Sequence, residues 1–117
     1  MVETIKKLRN STMDIEEVLV ANKEGLAIAH TMSSESESEK LGAMAANLLG
    51  IGERTLEVLD KGDLLQVFTK GSNGYVLVTE AGPDAVLAVT TNSKARLGLI
   101  FFEAKNAALS IAEKLRS

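Results

Sequence analysis

A chain of 117 residues that is 45% hydrophobic is long enough to bury one core and too short for two, so residues 1–117 read as a single domain. Its net charge of −3 offers no cationic footprint for nucleic acid or an anionic membrane surface, and the absence of cysteine removes disulfides and thiolate chemistry. The opening MVETIKKLRN lacks an apolar signal region and nowhere do eighteen apolar residues run together, so a cytoplasmic protein with no membrane insertion is expected.

Val2, Ile5 and Leu8 mark one face of a short N-terminal helix that Asn10-Ser11-Thr12 would end. EEVLVANKEGLAIAH then reads as two strands around Asn22-Lys23-Glu24-Gly25, a hairpin loop in which Gly25 supplies the positive φ. His30 falls at the end of the second strand, without a second His or Cys to share a metal, so no metal site is expected. The polar TMSSESESEK reads as a loop feeding a helix over about 37–60, with Ser36 and Glu39 as a capping box and Gly62 at its C-terminal end.

That helix contains a Gly-x-Gly, in AMAANLLGIGER, which has the look of a phosphate-binding loop. The reading fails because no strand precedes it, whereas Leu41, Met44, Ala45, Leu48, Ile51, Gly52, Thr55 and Leu59 recur at spacings of three and four. Gly50 and Gly52 therefore sit in a helix interior, where each is about 0.5–1 kcal/mol less favourable than Ala, and they call for a close approach by another backbone.

Three strands follow: LLQVFTK, YVLVTEA and AVLAVTT. Gly71-Ser72-Asn73-Gly74 and Gly82-Pro83-Asp84 turn the chain between them, and connections this short require antiparallel neighbours. A last helix, capped near Ser93, carries Leu97, Ile100, Phe101, Ala104, Ala108, Ile111 and Leu115 along one side. The order is α-β-β-α-β-β-β-α, an α+β domain on a five-stranded antiparallel sheet. Strands apolar on both sides, such as those with Leu19-Val20 and Leu77-Val78, call for the central helix on one face and the terminal helices on the other.

The central helix is apolar over about half its circumference, more than the stripe of a little over a quarter that covering one sheet face requires. Its remaining arc mixes Asn47, Glu53, Arg54, Glu57 and Lys61 with the small residues Gly42, Ala43, Ala46 and Gly50, so at least two surfaces call for contact. LLQVF, residues 64–68, would begin the meander at a sheet edge with no proline and no charge before Lys70, an invitation to strand addition and a homodimer.

LVANKEGLAIAH, GERTLEVLDKGDLLQVFTKG, GYVLVTEAGPDAVLAV and ARLGLIFFEAK, with the alanine-rich helix between them, resemble the roadblock family of dynein light chains over nearly the whole chain. In particular the chain is similar to prokaryotic, MglB-like members that regulate small Ras-like GTPases. The resemblance implies a profilin-like or longin-like fold and a dimer formed by third strands and central helices. Leu64, Leu65, Gln66, Val67 and Phe68, with Leu48, Ile51 and Thr55, then form the interface. It also implies a non-catalytic platform that binds a Ras-like GTPase, with Ala43, Ala46, Asn47, Gly50, Glu53, Arg54 and Glu57 as the matching partner-binding positions. Whether hydrolysis is accelerated stays open, and Arg54 is read as a solvated helix-surface arginine in preference to an arginine finger. The sequence stops without the longer C-terminal tail of some GTPase regulators, so no tail-mediated effect on nucleotide exchange is expected.

Two other functions compete: a structural scaffold or motor light-chain-like adaptor without effect on nucleotide turnover, and an enzyme or small-ligand sensor. Against the last, Ser33 to Ser38 have no base or orienting partner in reach of the pattern, and no acid–base pair stands at a recognisable spacing; no cofactor is expected.

Overall fold

The computed structural model describes residues 1–116 and follows the expected order: α1 (Val2–Asn10), β1 (Ile15–Asn22), β2 (Ala27–His30), α2 (Glu35–Val58), β3 (Gln66–Gly71), β4 (Gly74–Glu80), β5 (Ala85–Asn92) and α3 (Leu97–Arg116). The strands form one antiparallel sheet in the order β2-β1-β5-β4-β3. The last strand thus inserts between the first hairpin and the β3–β4 hairpin, and β2 and β3 are left as edges.

Alternation along the strands splits the core in two, as the doubly apolar strand positions require. Val18, Val20, Leu77, Leu87 and Val89 face α1 and α3, where they meet Ile5, Leu8, Ile100, Ala104 and Ile111. Leu19, Ala21, Val78, Val86 and Ala88 face α2 and meet Ala45 and Leu49.

Turn chemistry explains the hairpins. The Asn22 side-chain oxygen accepts from the backbone N–H of Glu24 at 3.1 Å and of Leu26 at 2.9 Å, which folds the chain so that Gly25, at φ +94°, closes the loop. Between β3 and β4 only Ser72 and Asn73 remain unpaired, and Gly71 sits opposite Gly74.

Three helix ends depart from the sequence expectation. α2 starts at Glu35 and not near residue 37, because Ser34, in an extended conformation, is the N-cap and its hydroxyl accepts from the Glu37 N–H at 3.3 Å. Ser36 and Glu39 therefore lie inside the first turns and form no capping box. At the other end Leu59 is the C-cap and Asp60, at φ +56°, takes the left-handed position expected of Gly62. The Lys61 N–H reaches back to the Leu56 carbonyl at 2.8 Å and the Asp60 N–H to that of Glu57 at 3.2 Å, the two bonds of a Schellman motif. α3 begins at Leu97, beyond Ser93; the Asn92 side chain instead accepts from the Lys94 N–H at 2.9 Å and holds Ser93 and Lys94 in a turn.

Candidate interaction surface on the central helix

α2 is where the sequence places both candidate surfaces, and its orientation on the sheet sorts them. Gly42 is buried against the β1–β2 turn so closely that a Cβ on it would lie 2.3 Å from the Gly25 carbonyl oxygen, while one on Gly25 would lie 2.8 Å from the Gly42 oxygen. Two backbones touch here. Ala46, one turn on, is half-buried beside the same loop, 3.2 Å from where a Gly25 Cβ would stand. On the opposite flank Gly52 faces β3, and a Cβ there would come within 2.9 Å of Val67 and 3.2 Å of Leu64.

The small residues of α2 thus divide. Gly42 and Ala46 admit the protein's own hairpin, and Gly52 admits the side chains of Leu64 and Val67, so the exposed arc drawn from the sequence loses Gly42 and half of Ala46. The close approach expected at Gly52 is made by side chains and comes from within the chain. Gly50 is different: a Cβ there would meet no atom within 4 Å. The Gly-x-Gly lies in the helix interior, preceded directly by helical turns of α2 and not by a strand.

Going round the helix from Gly42 through Leu49 to Gly52, at about 100° per residue, the next line is Met44, Leu48, Ile51, Thr55 and Val58. It overhangs the edge strand β3. Met44, Ile51 and Val58 stand at a spacing of seven and are 50%, 66% and 73% exposed, unusual values for large apolar side chains mid-helix. Leu48 is half-buried and Thr55 is exposed, its hydroxyl donating to the Ile51 carbonyl at 2.7 Å.

Beneath this line runs the outer edge of β3, which no other strand pairs among the described residues. Strand pairing starts at Gln66, so Leu64 and Leu65 precede it: Leu64 is buried under α2, whereas Leu65 is 79% exposed. Val67 points to α2 and Phe68 to the other face, where it stacks on Tyr75 at 5.4 Å between ring centres and meets Phe101 edge-on at 5.5 Å. Met44 and Val58 belong with Leu48, Ile51 and Thr55, although sequence reasoning left them out of the interface set. Their spacing of seven was the available signal.

Beyond this line lies the outer side of the helix. Ala43, Gly50 and Glu57 form one row, Asn47 and Arg54 the row between it and the apolar line, and Ala46 and Glu53 the row nearest the hairpin. Apart from Ala46 all are exposed, and among the described residues Glu53, Arg54 and Glu57 enter no ion pair. The arc is a mixed-charge surface with a low centre at Gly50.

The serine run at the head of α2 is occupied with backbone work. The Ser34 hydroxyl caps the helix and lies 2.9 Å from that of Ser36, and buried Ser38 donates to the Glu35 carbonyl at 2.8 Å. His30 Nδ1 accepts from the Met32 N–H at 3.1 Å, and its Nε2 lies 3.2 Å from a Glu35 oxygen, so the imidazole ties the strand end to the first turn of the helix. No group of three or more His, Cys, Asp or Glu able to hold a metal occurs among the described residues, and no helix there is long and apolar enough to cross a membrane.

A sheet covered on both faces, open along one apolar edge and overhung there by a helix with exposed methionine, isoleucine and valine, defines a small α+β domain whose distinguishing chemistry lies on its surface. The chain belongs to the Roadblock/LC7 domain family, whose model matches residues 1–91. It is 35% identical over 111 residues, 95% of this chain and 96% of the other, to the uncharacterized protein MJ1340 of Methanocaldococcus jannaschii. Among solved structures, a Roadblock/LC7 domain from Streptomyces avermitilis superposes with a TM-score of 0.95 at 19% identity, covering 100% of this chain and 98% of that one. Myxococcus xanthus MglB superposes with a TM-score of 0.87 at 16% identity, covering 98% and 94%. The likeness to the roadblock family drawn from the sequence is met, in the family match and in the fold.

Proposed function

We propose that the protein is a non-catalytic, cytoplasmic homodimer that binds a Ras-like small GTPase, in the manner of an MglB-like regulator. Copies would pair through the open edge of β3, with Leu64, Leu65, Gln66, Val67 and Phe68 at or beside the seam, and through Met44, Leu48, Ile51, Thr55 and Val58 of α2. The paired helices would then present Ala43, Ala46, Asn47, Gly50, Glu53, Arg54 and Glu57 to the GTPase, favouring one conformation of its switch loops. No nucleic acid or membrane is part of the reading.

The observation that carries it is the outer side of α2, where an unpartnered apolar line over an open strand edge adjoins a glycine that no intramolecular contact requires. Gly in a helix interior is less favourable than Ala by about 0.8–1 kcal/mol, and at Gly50 the folded chain alone gives no return for that loss.

The test is co-elution with a Ras-like GTPase of the same organism loaded with GDP or with a non-hydrolysable GTP analogue. Binding that depends on the nucleotide, and is weakened at least tenfold by Gly50→Leu while thermal stability holds, is the expected result. Absence of binding to either form at micromolar concentrations refutes the reading. The rate of GTP hydrolysis with and without the protein separates a regulator from a scaffold.

A further inference from the structure

Gly74 stands at the head of β4, where a Cβ on it would lie 2.1 Å from the Thr91 carbonyl oxygen, so no side chain fits there. Just ahead of it, at the tip of the β3–β4 hairpin, Ser72 and Asn73 are exposed and lie outside the strand pairing. Packing against β5 thereby fixes a glycine directly after an exposed asparagine. In that pair the side-chain amide is most open to attack by the backbone nitrogen that follows it, because glycine offers no Cβ to hinder ring closure.

Of the six asparagines only Asn73 precedes glycine, and the other five are held. Asn47 and Asn106 lie inside helices, where the next N–H points back along the helix to a carbonyl, and the N–H that follows Asn10 donates to the Leu8 carbonyl at 3.1 Å. The Asn22 side-chain oxygen accepts from two backbone N–H groups. The Asn92 amide donates to the Asp14 carboxylate at 3.3 Å and accepts from the Lys94 N–H at 2.9 Å. The Asn73 side chain makes no hydrogen bond among the described residues, so nothing restrains its amide.

We propose that Asn73 is a site of spontaneous succinimide formation, a covalent modification that water alone completes. The Gly74 amide nitrogen gives up its proton and attacks Cγ of Asn73. The Cγ–Nδ2 bond breaks, and the nitrogen leaves as ammonia with that proton. Water then opens the five-membered ring at one of its two carbonyl carbons. Opening at the side-chain carbonyl yields aspartate, whereas opening at the main-chain carbonyl yields isoaspartate, in which the peptide runs through Cβ. The net change consumes a water and releases an ammonia, with no oxidation or reduction.

Gly71 sits opposite Gly74, and this last rung must open before the nitrogen can react. Rungs beside an exposed turn open at free energies far below that of global unfolding. The two products then differ in consequence. Aspartate adds a charge and keeps the backbone. Isoaspartate adds a carbon to the main chain of a two-residue turn, so Gly71 and Gly74 cannot stay opposed, and the Lys70–Tyr75 end of the hairpin loosens. Since β3 pairs with β4 alone, no second strand holds it in place.

The test incubates the folded full chain in warm, mildly alkaline buffer beside a sample unfolded in guanidinium chloride, and follows both by tryptic peptide mapping. Cleavage after Lys70 and Lys94 leaves Asn73 and Asn92 on one peptide, so fragmentation compares them directly. In the folded chain Asn73 should lose its amide at least tenfold faster than any other asparagine, at a rate proportional to hydroxide. Isoaspartate, detected as methyl transfer from S-adenosylmethionine by an isoaspartate-specific methyltransferase, should exceed aspartate. Asn73→Gln, which must close a larger ring, should keep its amide. An Asn73 that stays intact in the folded chain while converting in the unfolded one shows that the hairpin shields it and overturns the proposal, as does equal conversion at Asn92. The converted protein should exchange the amides of Lys70, Gly71 and Tyr75 faster than Asn73→Asp does, and equal exchange overturns the loosening. No readout here involves a GTPase or a dimer, so failure of the previous reading leaves this result independent.

Discussion

Gly50 and Gly42 sit two turns apart on one helix and obey opposite rules. At Gly50 a methyl group would meet nothing within 4 Å, so Gly50→Ala should gain the helix propensity that glycine forgoes, about 0.5–1 kcal/mol by chemical denaturation. At Gly42 the same change forces a Cβ to within 2.3 Å of the Gly25 oxygen, and the hairpin must lift from α2. Gly42→Ala should therefore be destabilising by at least about 1–3 kcal/mol, the range for overpacked sites. Equal effects at the two positions would show that the hairpin does not rest on the helix. Asp60 is the third backbone-determined position: at φ +56° it tolerates the left-handed conformation through its short polar side chain, which a β-branched residue cannot do. Asp60→Val should lower stability by about 1–2 kcal/mol, measurable in the same denaturation series, with Asp60→Gly neutral or stabilising.

At the scale of elements, α2 shows where sequence reasoning reaches and where it stops. Its existence, its interior Gly-x-Gly and its neighbours in the chain were legible because periodicity and turn residues are local signals. Its ends were not: Ser34 and Ser36 are both competent caps, and only the extended backbone at Ser34 decides between them. Periodicity also tells that a face is apolar or small without telling what lies opposite. Gly42, Ala46 and Gly50 looked alike in the sequence, yet the first two receive the protein's own β1–β2 turn and only the last is open. The exposed line of Met44, Ile51 and Val58 was missed as a set for the same reason, since its place over β3 follows from how the helix is rotated on the sheet. If that line is a seam between copies, Ile51→Glu should convert dimer to monomer in sedimentation or light scattering and, because Ile51 is 66% exposed, leave the monomer fold intact by circular dichroism. A dimer that survives this change removes α2 from the interface.

For the molecule as a whole, the two cores are unequal. On the side of α1 and α3 the fully buried set includes Ile5, Leu77, Leu87, Ile100 and Ile111, whereas on the α2 side the fully buried large side chains are Leu19, Val78 and Val86, joined by Leu49, Leu64 and the small Ala21, Ala45 and Ala88. Of its own apolar side chains α2 fully buries Ala45 and Leu49, against Ile100, Ala104, Ala107, Ala108 and Ile111 from α3, so at about 25 cal/mol per Å² fully buried side chains anchor α2 less firmly. Amide exchange of the dilute protein should show α2 opening at a lower free energy than α3 or β5, and the difference should shrink as concentration rises if copies pair across α2. Truncation makes the same contrast: Ile111→Ala should be destabilising by about 2–5 kcal/mol, and Ile51→Ala by well under 1 kcal/mol.

The position of β5 bears on the order in which the domain can be made. β1 pairs with β5 along its length, Val18 with Val89 and Val20 with Leu87, so the middle of the sheet joins segments that leave the ribosome far apart in time. Until Asn92 has emerged, the nascent chain holds two separate hairpins, each apolar on both faces and marginal alone. Synthesis of the protein therefore passes through a stage in which the aliphatic flanks of both hairpins stand bare at the tunnel exit, open to chaperones or to a neighbouring chain on the same polysome, and the late arrival of a single strand ends it.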